Sequence, residues 1–213
     1  MEIQINFVPL KTLGYMECVL PQDILDAVNA DVEKIIESKF QSADKMNNNL
    51  YGAIEHEYKL KNFYCSVLLE KFTSLVAREF YKVNNFFSKD SPNFRLNNCW
   101  VNFQQKNEYN PLHFHEGDYS FVIWLEIPYT IQHEKELPNI KNSNGFQNEA
   151  SSFVFVYPDF LGKGGINKKI IQVDQTYRGK MIFFDATTQH MVYPFFTSND
   201  FRISVSGNLS ILN

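Results

Sequence analysis

The sequence has few cysteines, no strongly basic segment and no long uninterrupted hydrophobic run. Its three cysteines, Cys18, Cys65 and Cys99, are widely spaced and form no CxxC pair. This argues against a disulfide framework or a cysteine zinc site and favours a reducing compartment. No apolar run approaches the roughly 20 residues that a membrane helix needs, and the N-terminus does not resemble a signal peptide. We therefore expect a cytoplasmic protein with no membrane partner.

The charge of the chain argues against nucleic acid as a partner. The 20 Lys and Arg are outnumbered by 24 Asp and Glu, which gives a net charge of −4, and the basic residues cluster no further than pairs such as Lys168-Lys169. A nucleic-acid binder normally carries a basic stripe. The remaining partner class is an unidentified substrate, either a protein side chain or a small molecule. Charge and composition leave the oligomeric state open.

The apolar content is high enough for one large core. Hydrophobic residues make up 44% of the chain, with 20 Phe and 11 Tyr, and we expect a single domain over residues 1–213. Within it, residues 1–95 are predicted to form a helical support region, because apolar residues recur every three or four positions in 21–40 and 63–83. Residues 96–213 are predicted to form the catalytic core.

In the second part of the chain the apolar period changes to two, which is typical of strands. Strands are predicted at 99–103, 119–127, 152–157, 168–173, 180–185 and 201–212. Many short strands separated by turn residues favour a sandwich or barrel with the two helices on its outer face. The polar stretch 133–151 is predicted to be a loop that covers the mouth of a pocket.

Two histidines one residue apart are the first sign of chemistry. In an extended segment His113 and His115 point to the same side, while Phe114 points the other way, into the core. His190, from a distant strand, is the natural third ligand of a metal with open coordination positions. A different set is also open: if the chain turns at Gly117, Asp118 can return beside His115 and supply a carboxylate.

Arg202 and Ser204 lie 12 and 14 residues after His190. They are two residues apart in an apolar strand, so both side chains lie on the same face. A guanidinium matches a carboxylate in two parallel hydrogen bonds, and a serine hydroxyl can donate a third. An unpaired charge in such a strand would be costly. We therefore expect this pair to hold an acidic cosubstrate.

This order of residues resembles the 2-oxoglutarate- and iron(II)-dependent oxygenases of the double-stranded β-helix fold. The resemblance covers roughly residues 100–212 and is closest to a small, poorly characterised subgroup with an HxH core, followed by Gly117, Ser120 and Pro128. Most of the family has a carboxylate two residues after the first histidine, where this chain has His115. The departure leaves the third ligand open between His115 and Asp118.

The resemblance implies both fold and activity. It implies a mainly β chain with N-terminal helices, built on a jelly-roll, cupin-like core. It further implies a dioxygenase that uses iron(II), 2-oxoglutarate and O2, with ascorbate as a supporting reductant, to hydroxylate a C–H bond and release succinate and CO2. The metal would bind His113, His115 and His190. Arg202 and Ser204 would bind 2-oxoglutarate, with Asn102, Gln104 and Tyr109 as further candidates.

Two other functions compete with this interpretation. A cupin-like metal barrel without a keto-acid cosubstrate also uses HxH and a distal histidine, but it normally needs a Glu a few residues later, where this chain has Tyr119 and Ser120. A non-catalytic jelly roll used for binding would make the histidines incidental. Neither alternative gives Arg202 and Ser204 a role.

Overall fold

The computed structural model describes residues 14–41, 43–46, 52–85, 90–143, 145, 149–159 and 164–212. Its elements are, in chain order, β1 (Tyr15–Val19), α1 (Gln22–Glu37), β2 (His56–Lys59), α2 (Phe63–Asn84), β3 (Asn93–Gln104), β4 (Asn110–His113), β5 (Tyr119–Glu126), α3 (Ile131–Glu136), α4 (Pro138–Lys141), β6 (Phe153–Pro158), β7 (Ile166–Ile171), a 3₁₀ turn (Gln175–Tyr177), β8 (Lys180–Asp185), β9 (His190–Val192) and β10 (Arg202–Leu212).

The strands of the described residues form two antiparallel sheets that pack face to face. One has six strands in the order β1-β8-β5-β10-β3-β2, and the other has four in the order β4-β9-β6-β7. An apolar cluster lies between them, and it includes Trp124 and Phe184 from the larger sheet and Phe153 and Phe155 from the smaller. This arrangement confirms the predicted fold class, a double-stranded β-helix core with helices beside it.

The two long helices cover the outer face of the six-stranded sheet. Apolar residues at helical spacing in α1, such as Val28 and Val32, join Leu69 of α2 in a core that also contains Phe121 and Ile123 of β5. Asn62 caps α2 by accepting a hydrogen bond from the backbone N–H of Cys65 at 3.1 Å. Because strand β5 is covered on both faces, seven of its eight residues are buried.

Strand register places polar side chains in rows on the inner face of the large sheet. Asn102 of β3 lies opposite Glu57 of β2 and Ser204 of β10, while Gln104 lies opposite Arg202. Side chains of directly opposed residues share a face. These rows form one wall of a cavity between the two sheets, and the histidines form part of the other.

The N-terminal part is less purely helical than predicted. Strands β1 and β2 come from it and occupy both edges of the six-stranded sheet, and β3 begins at Asn93, ahead of the predicted boundary. The stretch 133–151 is also not simply a loop, because α3 and α4 lie partly or wholly within it. Of these two stretches, residues 1–13, 42, 47–51, 86–89, 144 and 146–148 lie outside the described residues. In the described part of the chain, no helix combines the length and hydrophobicity needed to span a membrane.

Candidate metal centre

His113 and His190 are brought together by strand pairing. They end β4 and begin β9, and the two residues lie directly opposite each other. Their ring centroids are 4.3 Å apart, and both residues are buried, with 8% and 3% of their surface exposed. Two residues 77 positions apart in sequence are therefore held side by side by backbone pairing.

His115 completes a group of three imidazoles. It follows the end of β4 and is fixed by its backbone N–H, which donates to the carbonyl of Ala186 at 2.9 Å. Its ring centroid lies 4.9 Å from that of His113 and 5.0 Å from that of His190. One nitrogen from each of the three rings lies within 4.8 Å of the others. A single metal ion can bind such a set.

The hydrogen bonds of two rings fix which nitrogen faces the centre. Nδ1 of His113 lies 2.7 Å from the carbonyl oxygen of Pro111, and Nδ1 of His190 lies 2.9 Å from that of Thr188. A carbonyl oxygen only accepts, so Nδ1 carries the hydrogen in both rings and Nε2 keeps its lone pair. Both imidazoles are thus in the tautomer that binds a metal through Nε2.

The environment keeps all three rings neutral. Burial lowers the pKa of His113. Burial, followed by the charge of His113, lowers that of His115 to about 4. The pKa of His190 falls well below its ordinary value because the ring is buried and lies beside the other two. Neutral imidazoles are the form that binds metal ions.

The structure places Asp118 away from this group. Its carboxylate accepts a hydrogen bond from the backbone N–H of Ile211 at 2.7 Å, and it is not a member of the cluster that the described residues form. A smaller expectation also needs correction. Phe114 does not point into the core: β4 ends at His113, and Phe114 just beyond it is 53% exposed.

Arg202 is 2% exposed and lines the same cavity. Its Nε and Nη2 both donate to Oε1 of Gln104, at 3.0 and 2.6 Å. Nη1 donates to the hydroxyl of Tyr129 at 2.6 Å and to the carbonyl of Ser151 at 3.0 Å. Nη2 also donates to the carbonyl of Tyr193 at 2.9 Å.

All these acceptors are neutral. Among the described residues, no carboxylate forms an ion pair with this guanidinium. Burying a charge without a counter-charge is costly, even when every N–H has an acceptor. The cavity therefore contains a fixed positive charge that an anionic ligand can neutralise.

The other predicted cosubstrate residues divide into two groups. Ser204 and Asn102 line the cavity, and Nδ2 of Asn102 donates to the Ser204 hydroxyl at 3.4 Å. Tyr109 is 46% exposed and lies outside the lining. Its backbone carbonyl accepts from the N–H of Ala53 at 2.8 Å. The structure thus brings together every predicted site residue except Tyr109 and Asp118.

Sequence reasoning missed Tyr129 and Glu57. The hydroxyl of Tyr129 accepts from the guanidinium, and Glu57 is buried in the cavity wall with 1% of its surface exposed. Gln104, which also holds the guanidinium, was a candidate because it shares the face of Asn102 at a spacing of two. Glu57 lies in a four-residue strand with no recognisable motif.

Fold and site together define a metal-binding double-stranded β-helix with a cationic pocket. Residues 98–208, which are 111 of the 213, match the family model described as "Putative 2OG-Fe(II) oxygenase". The chain belongs to this family. Iron(II), 2-oxoglutarate and O2 are the cofactor and cosubstrates that the family implies. No curated protein sequence matches the chain.

Solved structures show the same fold at low sequence identity. A prolyl-4-hydroxylase of Pseudomonas putida is 14% identical with a TM-score of 0.54, and the match covers 95% of each chain. The non-heme alpha ketoglutarate dependent carbocyclase SnoK from nogalamycin biosynthesis is 14% identical with a TM-score of 0.56, and the match covers 92% of this chain and 79% of SnoK. A viral collagen prolyl hydroxylase of Paramecium Bursaria Chlorella virus-1 is 12% identical, with a TM-score of 0.50 and coverage of 93% and 96%.

Proposed function

We propose that this protein is a dioxygenase that hydroxylates a C–H bond of its substrate and converts 2-oxoglutarate to succinate and CO2. The observation that carries the proposal is one cavity lined by three clustered histidines and a buried arginine without a carboxylate partner among the described residues. When bound, iron(II) with 2-oxoglutarate and O2 supplies the oxidising power that replaces C–H by C–OH. The protein residues bind, orient and shield the reactants.

His113, His115 and His190 would hold the iron. Their neutral rings and the tautomers of His113 and His190 require no proton rearrangement before binding. Three protein ligands leave other coordination positions open, as an iron(II) oxygenase needs. Asp118 is not part of the proposed set, because its carboxylate is engaged with strand β10.

Arg202 and Ser204 would bind the distal carboxylate of 2-oxoglutarate, with Asn102 beside them. In this structure Oε1 of Gln104 accepts from Nε and Nη2, the two nitrogens on one edge of the guanidinium. The geometry of this edge suits a carboxylate. A carboxylate can replace this neutral amide oxygen because it also neutralises the charge. Tyr109 is omitted because it lies outside the cavity lining.

Apolar and aromatic residues would limit water around the reacting groups. Trp100, Trp124, Phe153 and Val192 line the cavity together with the histidines. The ring of Phe153 stacks on that of His190, with centroids 5.2 Å apart. A wall of this kind strengthens the electrostatic interactions inside the site and protects reactive species from side reactions.

Succinate formation from 2-oxoglutarate tests this proposal. Protein supplied with iron(II), ascorbate and O2 should release succinate, with further stimulation by a true substrate. His190→Ala should abolish iron uptake and succinate release. His133→Ala is the matched control, because His133 is exposed on α3, and this variant should behave like the parent.

The competing functions give different results in the same assay. A metal barrel of the cupin type would take up iron without consuming 2-oxoglutarate or changing its thermal stability when 2-oxoglutarate is added. A non-catalytic binding protein would retain no iron after anaerobic loading. Either result would overturn the proposal.

A further inference from the structure

The cavity also contains a group of hydrogen-bond acceptors, whose chemistry is opposite to that of Arg202. Glu57 on β2 and Asn102 on β3 are buried, with 1% and 5% of their surface exposed. Asn110 at the start of β4 lines the same cavity. Each of these side chains presents an oxygen that can accept a hydrogen bond. Of these three acceptors, the sequence analysis anticipated only Asn102, as a candidate for 2-oxoglutarate.

Strand pairing directs Glu57 and Asn102 into the cavity. They lie directly opposite each other on β2 and β3, so their side chains project from the same face of the sheet. Their neighbours Tyr58 and Val101 face the other way and join the core beneath the helices. The position of the carboxylate is thus set by sheet register rather than by a mobile loop.

Two of the acceptor oxygens have no partner among the described residues. Oδ1 of Asn102 and Oδ1 of Asn110 are buried, and no described residue donates a hydrogen bond to either. Buried polar atoms in native proteins are almost always paired, so such exceptions call for an explanation. The carboxylates of 2-oxoglutarate carry no donors and cannot satisfy these oxygens. A substrate group with N–H or O–H donors can.

Gly52 shows that two of the acceptors converge. A Cβ at this position would lie 2.4 Å from Oδ1 of Asn110 and 2.9 Å from Oε1 of Glu57. Both oxygens therefore lie within 3 Å of the position that a Cβ of residue 52 would occupy. Only glycine leaves room for this approach. An amide oxygen and a carboxylate oxygen thus lie close enough to share one ligand group.

We propose that the cavity binds a substrate with a primary ammonium group, held by Glu57 and by the amide oxygens of Asn102 and Asn110. An ammonium group has three N–H donors and a positive charge, which match three acceptors of which one is a carboxyl. A hydroxyl has a single donor and could satisfy only one of the two amide oxygens. This inference rests on the proposed function, since it names the substrate class of the same site. A lysyl side chain and a small amine share this chemistry.

The electrostatics of Glu57 fit this assignment. Burial, followed by the charge of Glu108, raises the pKa of Glu57 to about 7. An ammonium group beside the carboxylate would lower that pKa again, because an opposite charge favours the ionised form. The carboxylate and the bound amine would therefore stabilise each other.

Direct binding of simple amines tests the proposal. The probes are the n-alkylamines from propyl to hexyl, each compared with the n-alcohol of the same length. Titration calorimetry is done anaerobically on the full chain with iron(II) and 2-oxoglutarate. At least one amine should bind about tenfold tighter than its alcohol, since hydrogen bonds to charged groups are about twice as strong as neutral ones. Equal or absent binding across the whole series would overturn the proposal.

Variants identify the acceptors. Glu57→Gln should remove the preference for the amine, whereas Glu55→Gln, at an exposed position on the same segment, should keep it. Asn110→Ala should also weaken amine binding, and it provides a second test if Glu57→Gln does not fold. An unchanged preference in both site variants would refute the acceptor assignment.

The same samples separate this inference from the proposed function. Iron content and 2-oxoglutarate affinity are measured before each titration. A protein that binds both but shows no amine preference refutes the ammonium site alone. A protein that prefers amines but takes up no iron refutes the oxygenase proposal and leaves the ammonium site standing.

Discussion

His113 and His190 lie directly opposite each other on antiparallel strands β4 and β9, with ring centroids 4.3 Å apart. The position of the site is thus decided by the register of two short strands. A slip of one residue would turn one histidine to the other face of the sheet. His115 lies two residues beyond the end of β4. Its backbone N–H donates to the carbonyl of Ala186, and this bond fixes its position.

The choice between His115 and Asp118 as third ligand can be tested directly. We expect His115→Ala to lose most of its bound iron, because one of three clustered nitrogens disappears. Asp118→Asn should retain iron, because its side chain bonds to Ile211 and the asparagine oxygen can still accept. Iron content after anaerobic loading and desalting is the measurement. Loss of iron in the asparagine variant with retention in the alanine variant would reverse the ligand assignment.

Much of the fold could be predicted because long elements carry clear periodicity. Helix α2 and strands β5, β8 and β10 lie within one residue of their predicted bounds, and helix α1 ends three residues before its predicted end. Strands β1, β2, β4 and β9, which have only three to five residues each, were not among the strands with predicted bounds. At that length alternation cannot be told from chance, and tertiary pairing decides the structure.

The histidines and Arg202 could be found because each belongs to a spaced motif. The backbone partners of Arg202 could not, because the carbonyl oxygens of Ser151 and Tyr193 leave no trace in side-chain identity. The stretch 133–151 was predicted only as a cover over a pocket. Its last residue, Ser151, has a positive φ of 63°, and its carbonyl oxygen holds the guanidinium inside the structure.

Arg202→Ala should weaken 2-oxoglutarate binding by at least about 100-fold, since a desolvated charge pair is worth several kcal/mol. Iron binding should persist, because the histidines belong to other strands. The two affinities are measured separately, by anaerobic titration with 2-oxoglutarate and by metal analysis. Arg178→Ala is the matched control, because that arginine is largely exposed and pairs with Glu126 at 2.9 Å. Iron loss with unchanged 2-oxoglutarate affinity would contradict the assigned roles.

The metal-free protein should lose stability as the pH falls from about 6.5 toward 4. The pKa of His115 is about 4 in the folded chain against an ordinary value of 6.5, so in this window the unfolded chain binds a proton that the folded chain does not. The free energy of unfolding then rises with pH by up to about 1.4 kcal/mol per unit for each such histidine. Urea unfolding at several pH values measures this slope. His115→Gln should flatten it and His133→Ala should leave it unchanged; equal slopes in all three proteins would contradict the neutral imidazole.

Glu134 should contribute strongly to stability although it touches no reactant. It is 0% exposed, and its carboxylate accepts from the backbone N–H groups of Phe196 and Thr197 and from the hydroxyl of Ser151, at 2.8 to 2.9 Å. Glu134→Ala leaves these donors unpaired, at about 1–3 kcal/mol each, so we expect a loss of about 3 kcal/mol or more and a fall in Tm of roughly 10 °C. Glu136→Ala on the same helix removes an exposed side chain and should have no measurable effect.

Because Ser151 also binds Arg202, the Glu134 variant should lose 2-oxoglutarate affinity while its iron content stays the same. A variant with unchanged Tm and unchanged affinity would show that this carboxylate does not support the arginine.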